Sequence, residues 1–245
     1  MLKKIYIQTI TELKIYFRDI LQVFFGFFFP IFIVIISASV FSGTSMDGSK
    51  YIDYILPGIF SVLIMTTSFF TVGVTIASYK ENLIMKKFRT TPMKLSNFFV
   101  AIVISRIIVI VIQIALMWII AVLMFNANFS GNIIAFIYTF LFACLVFLTI
   151  GFTIASLTKT FNAAIGVANS FYMGLTFVSA AFYPIDSFPS TMKYVVKALP
   201  LIHIVESIRE VWTNGSWIPF SSINIIVLIA WLIVGFIVSI IKFRW

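Results

Sequence analysis

The chain has 245 residues, of which 62% are hydrophobic and 10% charged, and its net charge is +9. A soluble domain carries about 25% charged residues and cannot hide this much apolar surface from water; the same composition excludes a disordered chain. Long unbroken apolar runs, rather than short alternating segments, point to membrane-spanning helices and exclude a membrane β-barrel.

Residues 1–20 form a candidate amphipathic helix at the membrane interface. Leu2, Tyr6, Ile10, Leu13, Phe17 and Ile20 recur at helical spacing, and Lys4, Gln8, Glu12 and Asp19 lie off that stripe. The first apolar run starts near residue 20 and more follow it, so it is expected to be a retained span rather than a cleaved signal. Span one is predicted at Val23–Phe41, with Pro30 as a candidate kink. Ser42–Asp53 is rich in Gly and Ser and predicts a short loop. Span two follows at Tyr54–Ser78, then a basic segment over 79–97 broken at Pro92. Span three covers Phe98–Phe125, span four Ile133–Leu157 and span five Phe161–Phe182. Residues 183–220 are mixed and contain Pro184, Pro189, Pro200 and Pro219; span six covers Ile223–Ile241. The expectation is an all-α polytopic membrane protein with six transmembrane helices, forming one domain over 1–245.

Charge tests the topology. Residues 1–20, the 79–97 segment, Arg106, Lys159 and the basic tail fall on one face with a net +10. The loop before span two and the 183–220 segment fall on the other with −1, which recovers the total of +9. The positive-inside rule then places both termini in the cytoplasm, which requires an even number of spans. The basic excess is accounted for by cytoplasmic loops and anionic lipid, so membrane lipids and not nucleic acid are the expected polyanion. Cys144 is the only cysteine and excludes an intrachain disulfide.

Five groups of residues invite a chemical reading. Gly43–Lys50 has the glycines of a phosphate-binding loop, but Ser49 precedes Lys50 where Gly-Lys-Ser/Thr is required, so no nucleotide site is expected. His203, Glu206 and Glu210 fall at helical spacing with Arg209 beside them. They suit either a metal or, more commonly, a polar helix whose charges pair. Glu81, Lys86, Lys87, Phe88, Arg89 and Pro92 belong to a segment with apolar anchors among charges, read either as a topogenic charge run or as a knob for a cytoplasmic partner. Thr67, Thr71 and Thr75 form a hydroxyl stripe on span two, for packing or for a path. On span five, Gly166, Ser170 and Gly174 form a small-residue ridge beside Asn162 and Asn169, amides that are costly in lipid unless they face protein or a cavity.

In this order the features resemble the membrane subunit of bacterial ABC-2-type ABC exporters, over essentially the whole chain. The most specific segments are Phe182-Tyr183-Pro184-Ile185-Asp186-Ser187-Phe188-Pro189 and Ala198-Leu199-Pro200-Leu201-Ile202-His203-Ile204-Val205-Glu206-Ser207-Ile208-Arg209. Tyr54-Ile55-Leu56-Pro57-Gly58 and the Glu81–Pro92 loop support it. Where the family often has Glu-x-Gly-Thr, this chain has Glu81-Asn82-Leu83-Ile84.

The resemblance implies a re-entrant segment between spans five and six, carrying Pro184, Pro189, Pro200, His203, Glu206 and Arg209. It also implies that the loop after span two is a coupling helix seated in a cytoplasmic ATPase. Spans two and five would flank the path, with Thr67, Thr71, Thr75, Asn162, Asn169 and Ser170 along it. ATP and Mg would be bound by that partner ATPase, with no cofactor in this chain. A second copy or a related permease would complete the pathway in a bacterial cytoplasmic membrane. The expected activity is export of an amphipathic or hydrophobic cargo such as a drug, lipid or peptide. The alternatives are a polysaccharide exporter and an integral membrane enzyme using His203 and Glu206.

Overall fold

The computed structural model describes residues 2–41, 45–46, 49–84, 95–179 and 190–243. Helix α1 spans Leu2–Arg18. It ends because Asp19 leaves helical geometry and caps the next helix: its Oδ1 accepts from the Leu21 and Gln22 amides at 3.1 Å. Six helices are long and apolar enough to cross a membrane: α2 (Ile20–Val40), α3 (Tyr51–Glu81), α4 (Ser96–Phe125), α5 (Ile133–Leu157), α6 (Phe161–Val178) and α9 (Ser222–Lys242). Between α6 and α9 lie α7 (Ser190–Val196) and α8 (Pro200–Asn214). The predicted loop before α3 contains a two-residue antiparallel pairing of β1 (Ser45–Met46) with β2 (Ser49–Lys50), and α3 starts at Tyr51, three residues before the predicted Tyr54. The remainder is all-helical with six candidate spans, as expected.

Helix α3 is the axis of the bundle and its most buried span. It is not a uniform α-helix. Pro57 removes one backbone donor near its start, and residues Thr67–Val74 widen into a π segment. Hydroxyls bond back to the carbonyls in this region: Ser61 Oγ to Pro57 O at 2.8 Å and Ser68 Oγ to Ile64 O at 2.7 Å. Helix α2 has its own π segment at Phe24–Phe28, and Gln113 Nε2 from α4 donates to the Gly26 carbonyl there at 2.9 Å.

Two glycines let α3 meet α5 backbone to backbone. A Cβ on Gly151 would stand 2.3 Å from the Ser68 carbonyl oxygen, and one on Gly73 would stand 3.0 Å from the Gly151 oxygen. Without a hydrophobic force between helices in lipid, such close approach is what holds spans together. Helix α9 packs on the other side of α5, where Thr153 Oγ1 donates to Gly235 O at 3.0 Å and lies 3.2 Å from Ser239 Oγ. The ridge expected on span five behaves differently: nothing lies within 4 Å of a Cβ placed on Gly166 or Gly174.

Helix α8 is pinned by an aromatic cluster. The Trp212 ring lies 4.8 Å from Phe129, 5.4 Å from Phe60 and 5.9 Å from Trp118, with mostly edge-to-face geometry. Pro200 opens α8 at a first-turn position, and Gly215, at φ 64°, closes it in a left-handed turn.

Candidate functional site

Three consecutive residues at the end of α3 each grip a different part of the bundle. Tyr79 donates its hydroxyl to the Glu12 carboxylate of α1, at 3.3 and 3.4 Å. Lys80 Nζ donates to the carbonyls of Ala155 and Thr158 at 2.7 and 3.1 Å, closing the C-terminal end of α5 with a positive charge where the helix dipole favours one. Glu81 Oε2 accepts from the Phe161 amide at 2.7 Å, an acid at the N-terminal end of α6, with Thr160 Oγ1 accepting from Ala163 beside it. The chain then turns at Leu83, held at φ 56°.

The Tyr79 contact leads into a buried charge pair. Arg106 Nη2 lies 3.3 Å from Glu12 Oε2, and both side chains are 1% exposed. Gln8 Nε2 donates to Glu12 Oε1 at 3.1 Å, and the guanidinium lies 5.4 Å from the centre of the Tyr16 ring. Burial pushes the Glu12 carboxyl above the ordinary carboxylate range, against the opposing pull of Arg106 and of its hydrogen bonds from Gln8 and Tyr79. Arg106 Nε and Nη1 have no hydrogen-bond partner among the described residues. The pair welds α1 to α4 next to the end of α3.

The apolar stripe of α1 does not form this contact. Leu2, Tyr6, Phe17 and Ile20 are exposed, whereas Thr9, Glu12 and Tyr16 are buried. Both ends of the stripe are thus exposed, Leu13 in its middle packs against Tyr16, Phe27 and Val109, and Glu12, off the stripe, faces protein. Arg106, grouped by charge with the loops, lies inside the third span.

The other sequence candidates divide by location. Glu81 is in place as described, whereas Lys86, Lys87, Phe88, Arg89 and Pro92 lie outside the described residues, as do Pro184 and Pro189. Thr67 and Thr71 are buried; Thr67 Oγ1 donates to Gln113 Oε1 at 3.1 Å, and Thr71 bonds to the Thr67 carbonyl. Thr75 is half-buried, with no side-chain hydrogen bond among the described residues. Asn162, Gly166, Asn169, Ser170, Met173 and Gly174 are all exposed, forming one open face of α6. Pro200 is buried at the start of α8.

His203 is buried, with Nδ1 2.8 Å from Asn224 Oδ1 and Nε2 2.8 Å from the Lys197 carbonyl. Both ring nitrogens are engaged, so the residue lacks the open nitrogen that an enzyme base or a metal ligand needs. The expected pairing of charges on this helix is also absent. Among the described residues no ion pair joins Arg209 to Glu206 or Glu210, and Arg209 instead lies 4.0 Å over the Tyr54 ring. Asn214 and Ser216 donate to Glu210 at 2.9 and 2.6 Å.

Tyr79, Lys80 and Glu81 thus tie the end of α3 to α1, α5 and α6, and Glu12 joins α1 to Arg106 of α4. A family model for the ABC-2 type transporter matches residues 3–212, from α1 through most of α8. The chain belongs to the ABC-2 type transporter family. It is similar to ABC transporter G family member 20 of Dictyostelium discoideum, with 24% identity over 193 residues, which is 76% of this chain and 26% of that protein. The chain thus spans about a quarter of the length of that relative. As an ABC-2 chain it is a multi-pass membrane subunit of an ABC transporter, and the junction Tyr79–Glu81 with Glu12 and Arg106 falls wholly within the matched region.

Proposed function

We propose that this chain is the permease half of an ATP-driven exporter, powered by a separate cytoplasmic ATPase that engages the segment after α3. The observation that carries this reading is the grip of Tyr79, Lys80 and Glu81 on α1, α5 and α6 at the point where that segment begins. Displacement of the segment by a partner is passed to those helices through short polar bonds, not through compressible side chains. ATP binding to the partner then shifts the balance between two packings of the bundle, provided the partner binds one of them better. The face bearing the termini is cytoplasmic in this reading, in keeping with its +10 charge.

The open face of α6 gives the pathway its chemistry. Asn162, Asn169 and Ser170 alternate there with Gly166, Met173 and Phe177. Two amides in a span are costly against lipid, so this face turns toward a second permease, with the cargo path between the two. Its mixed polar, aromatic and thioether surface suits an amphipathic or hydrophobic cargo.

The test is co-reconstitution of the chain with its ATPase in vesicles, comparing ATP hydrolysis with transport. Glu81→Gln and Lys80→Met should leave insertion and complex formation intact while lowering transport per ATP hydrolysed. Unchanged transport in both variants would falsify the coupling assignment.

A further inference from the structure

The Lys80 ammonium, bonded to the Ala155 and Thr158 carbonyls, also stands over the Phe243 ring, 5.2 Å from its centre. Phe243 is the first residue beyond α9. Its amide still donates to the Ser239 carbonyl at 3.1 Å, so the ring is fixed to the end of that helix. The same ring meets Phe99, near the start of α4, with centroids 5.6 Å apart and planes at 84°. Phe99 in turn meets Phe152 of α5 edge to face at 5.7 Å. Phe98, 1% exposed, packs on the Tyr79 ring at 5.9 Å.

These contacts close on themselves. They run from Tyr79 to Phe98 and Phe99 of α4, on to Phe243 at the end of α9, and back to Lys80, the neighbour of Tyr79. The cytoplasmic segment leaves the bundle at the end of α3 and rejoins it at the start of α4, so the circuit binds both ends of that segment to each other and to α9. Phe243 is the link that brings α9 in. Lys80 and Phe243 are both half-buried, where the attraction of a cation for a ring face is less weakened by water. An aliphatic side chain could fill the same space, but it has no electron-rich face to offer an ammonium.

We propose that Phe243 is a positioning residue of the coupling junction. Its ring holds the Lys80 ammonium against the end of α5 and makes α9 move with the end of α3. The part in coupling rests on the exporter reading, whereas the grip on Lys80 does not, and the two are measured separately.

The first measurement is the rate at which an amine-acylating reagent modifies Lys80 in the full chain in mild detergent, read by peptide mass spectrometry. Phe243→Leu stays apolar but lacks a ring face and should raise that rate about fivefold, whereas Phe243→Tyr keeps the face and should hold the wild-type rate. Both variants should melt as wild type does. An unchanged rate in Phe243→Leu, or an equal rise in Phe243→Tyr, overturns the proposal, because the ring face would then hold nothing. The second measurement is transport per ATP hydrolysed, in vesicles containing the chain and its ATPase. Phe243→Leu should lower it severalfold, Phe243→Tyr should not, and adding Phe243→Leu to Lys80→Met should lower it no further. A further loss in the double variant would mean that Phe243 acts elsewhere, and it also overturns the proposal. Uncoupling by Lys80→Met with normal transport in Phe243→Leu overturns the role of Phe243 in coupling and spares the exporter reading. Normal transport in Lys80→Met sinks the coupling assignment instead, and the acylation rates then decide alone whether Phe243 positions Lys80.

Discussion

The Glu12–Arg106 pair is asymmetric, and the asymmetry predicts how its substitutions behave. A guanidinium cannot shed its proton inside a protein, whereas a buried carboxyl can take one up. Glu12→Leu strands a buried cation and should cost about 3–5 kcal/mol. Arg106→Leu leaves a carboxyl that can be neutralised and remains bonded to Gln8 and Tyr79, so it should cost about 1–3 kcal/mol. The double substitution should cost less than Glu12→Leu alone, since a charge pair replaced by packed apolar groups is often tolerated. Thermal unfolding in detergent ranks the three. In the Arg106→Leu variant the native Glu12 pKa stays above its unfolded value, because burial remains the dominant influence. The folded state therefore binds the proton more tightly, and stability should fall as pH rises from the ordinary carboxylate range through the raised native value. An unfolding temperature that is flat with pH would contradict this.

At the scale of elements, the glycine contacts separate packing inside the protomer from packing outside it. Gly151→Ala drives a Cβ into the Ser68 carbonyl, a backbone atom that cannot swing aside, and should destabilise the fold by about 1–3 kcal/mol. Gly166→Ala meets nothing in the protomer and should leave its unfolding temperature unchanged. Any effect of Gly166→Leu should appear in permease–permease crosslinking instead.

The same comparison shows what the sequence could reveal. Six spans and their order were legible because about 20 apolar residues per crossing is a strong requirement, and Ile133–Leu157 emerges with its predicted bounds. Glu12 with Arg106 was not legible. The partners lie 94 residues apart, and each looked like an ordinary interfacial charge in its own segment. The small-residue ridge of α6 was visible as a repeat, whereas the functional close approach uses two isolated glycines on different helices. Spacing within one helix cannot show which face a partner helix will meet. The π segments were hidden for a related reason: the extra residue in the turn is stabilised by bonds such as Gln113 to Gly26, made across helices.

For the whole molecule, the proposed arrangement predicts where reagents reach. Cys144 is fully buried, so the unmodified chain should react slowly with a membrane-impermeant maleimide. A cysteine in place of Ser216 should label from outside intact cells, and one in place of Lys3 only after the membrane is opened. Labelling of both from the same side would refute the proposed topology. Asn169→Leu should insert normally yet reduce transport several-fold, read as cargo efflux from loaded vesicles, because the amide lies on the exposed face of α6 and makes no side-chain hydrogen bond among the described residues.

Helix α3 has 31 residues, and at about 1.5 Å per residue it measures about 46 Å. The hydrocarbon it crosses is about 30 Å thick. In the proposed arrangement the surplus is a stalk, and the residues at its tip (Tyr79, Lys80 and Glu81) sit where charge is cheap and leverage is greatest. A tilt of about 10° about the helix midpoint sweeps that tip through about 4 Å. Movements of that size exceed the length of the bonds the tip makes, so the helices it holds must travel with it or let go.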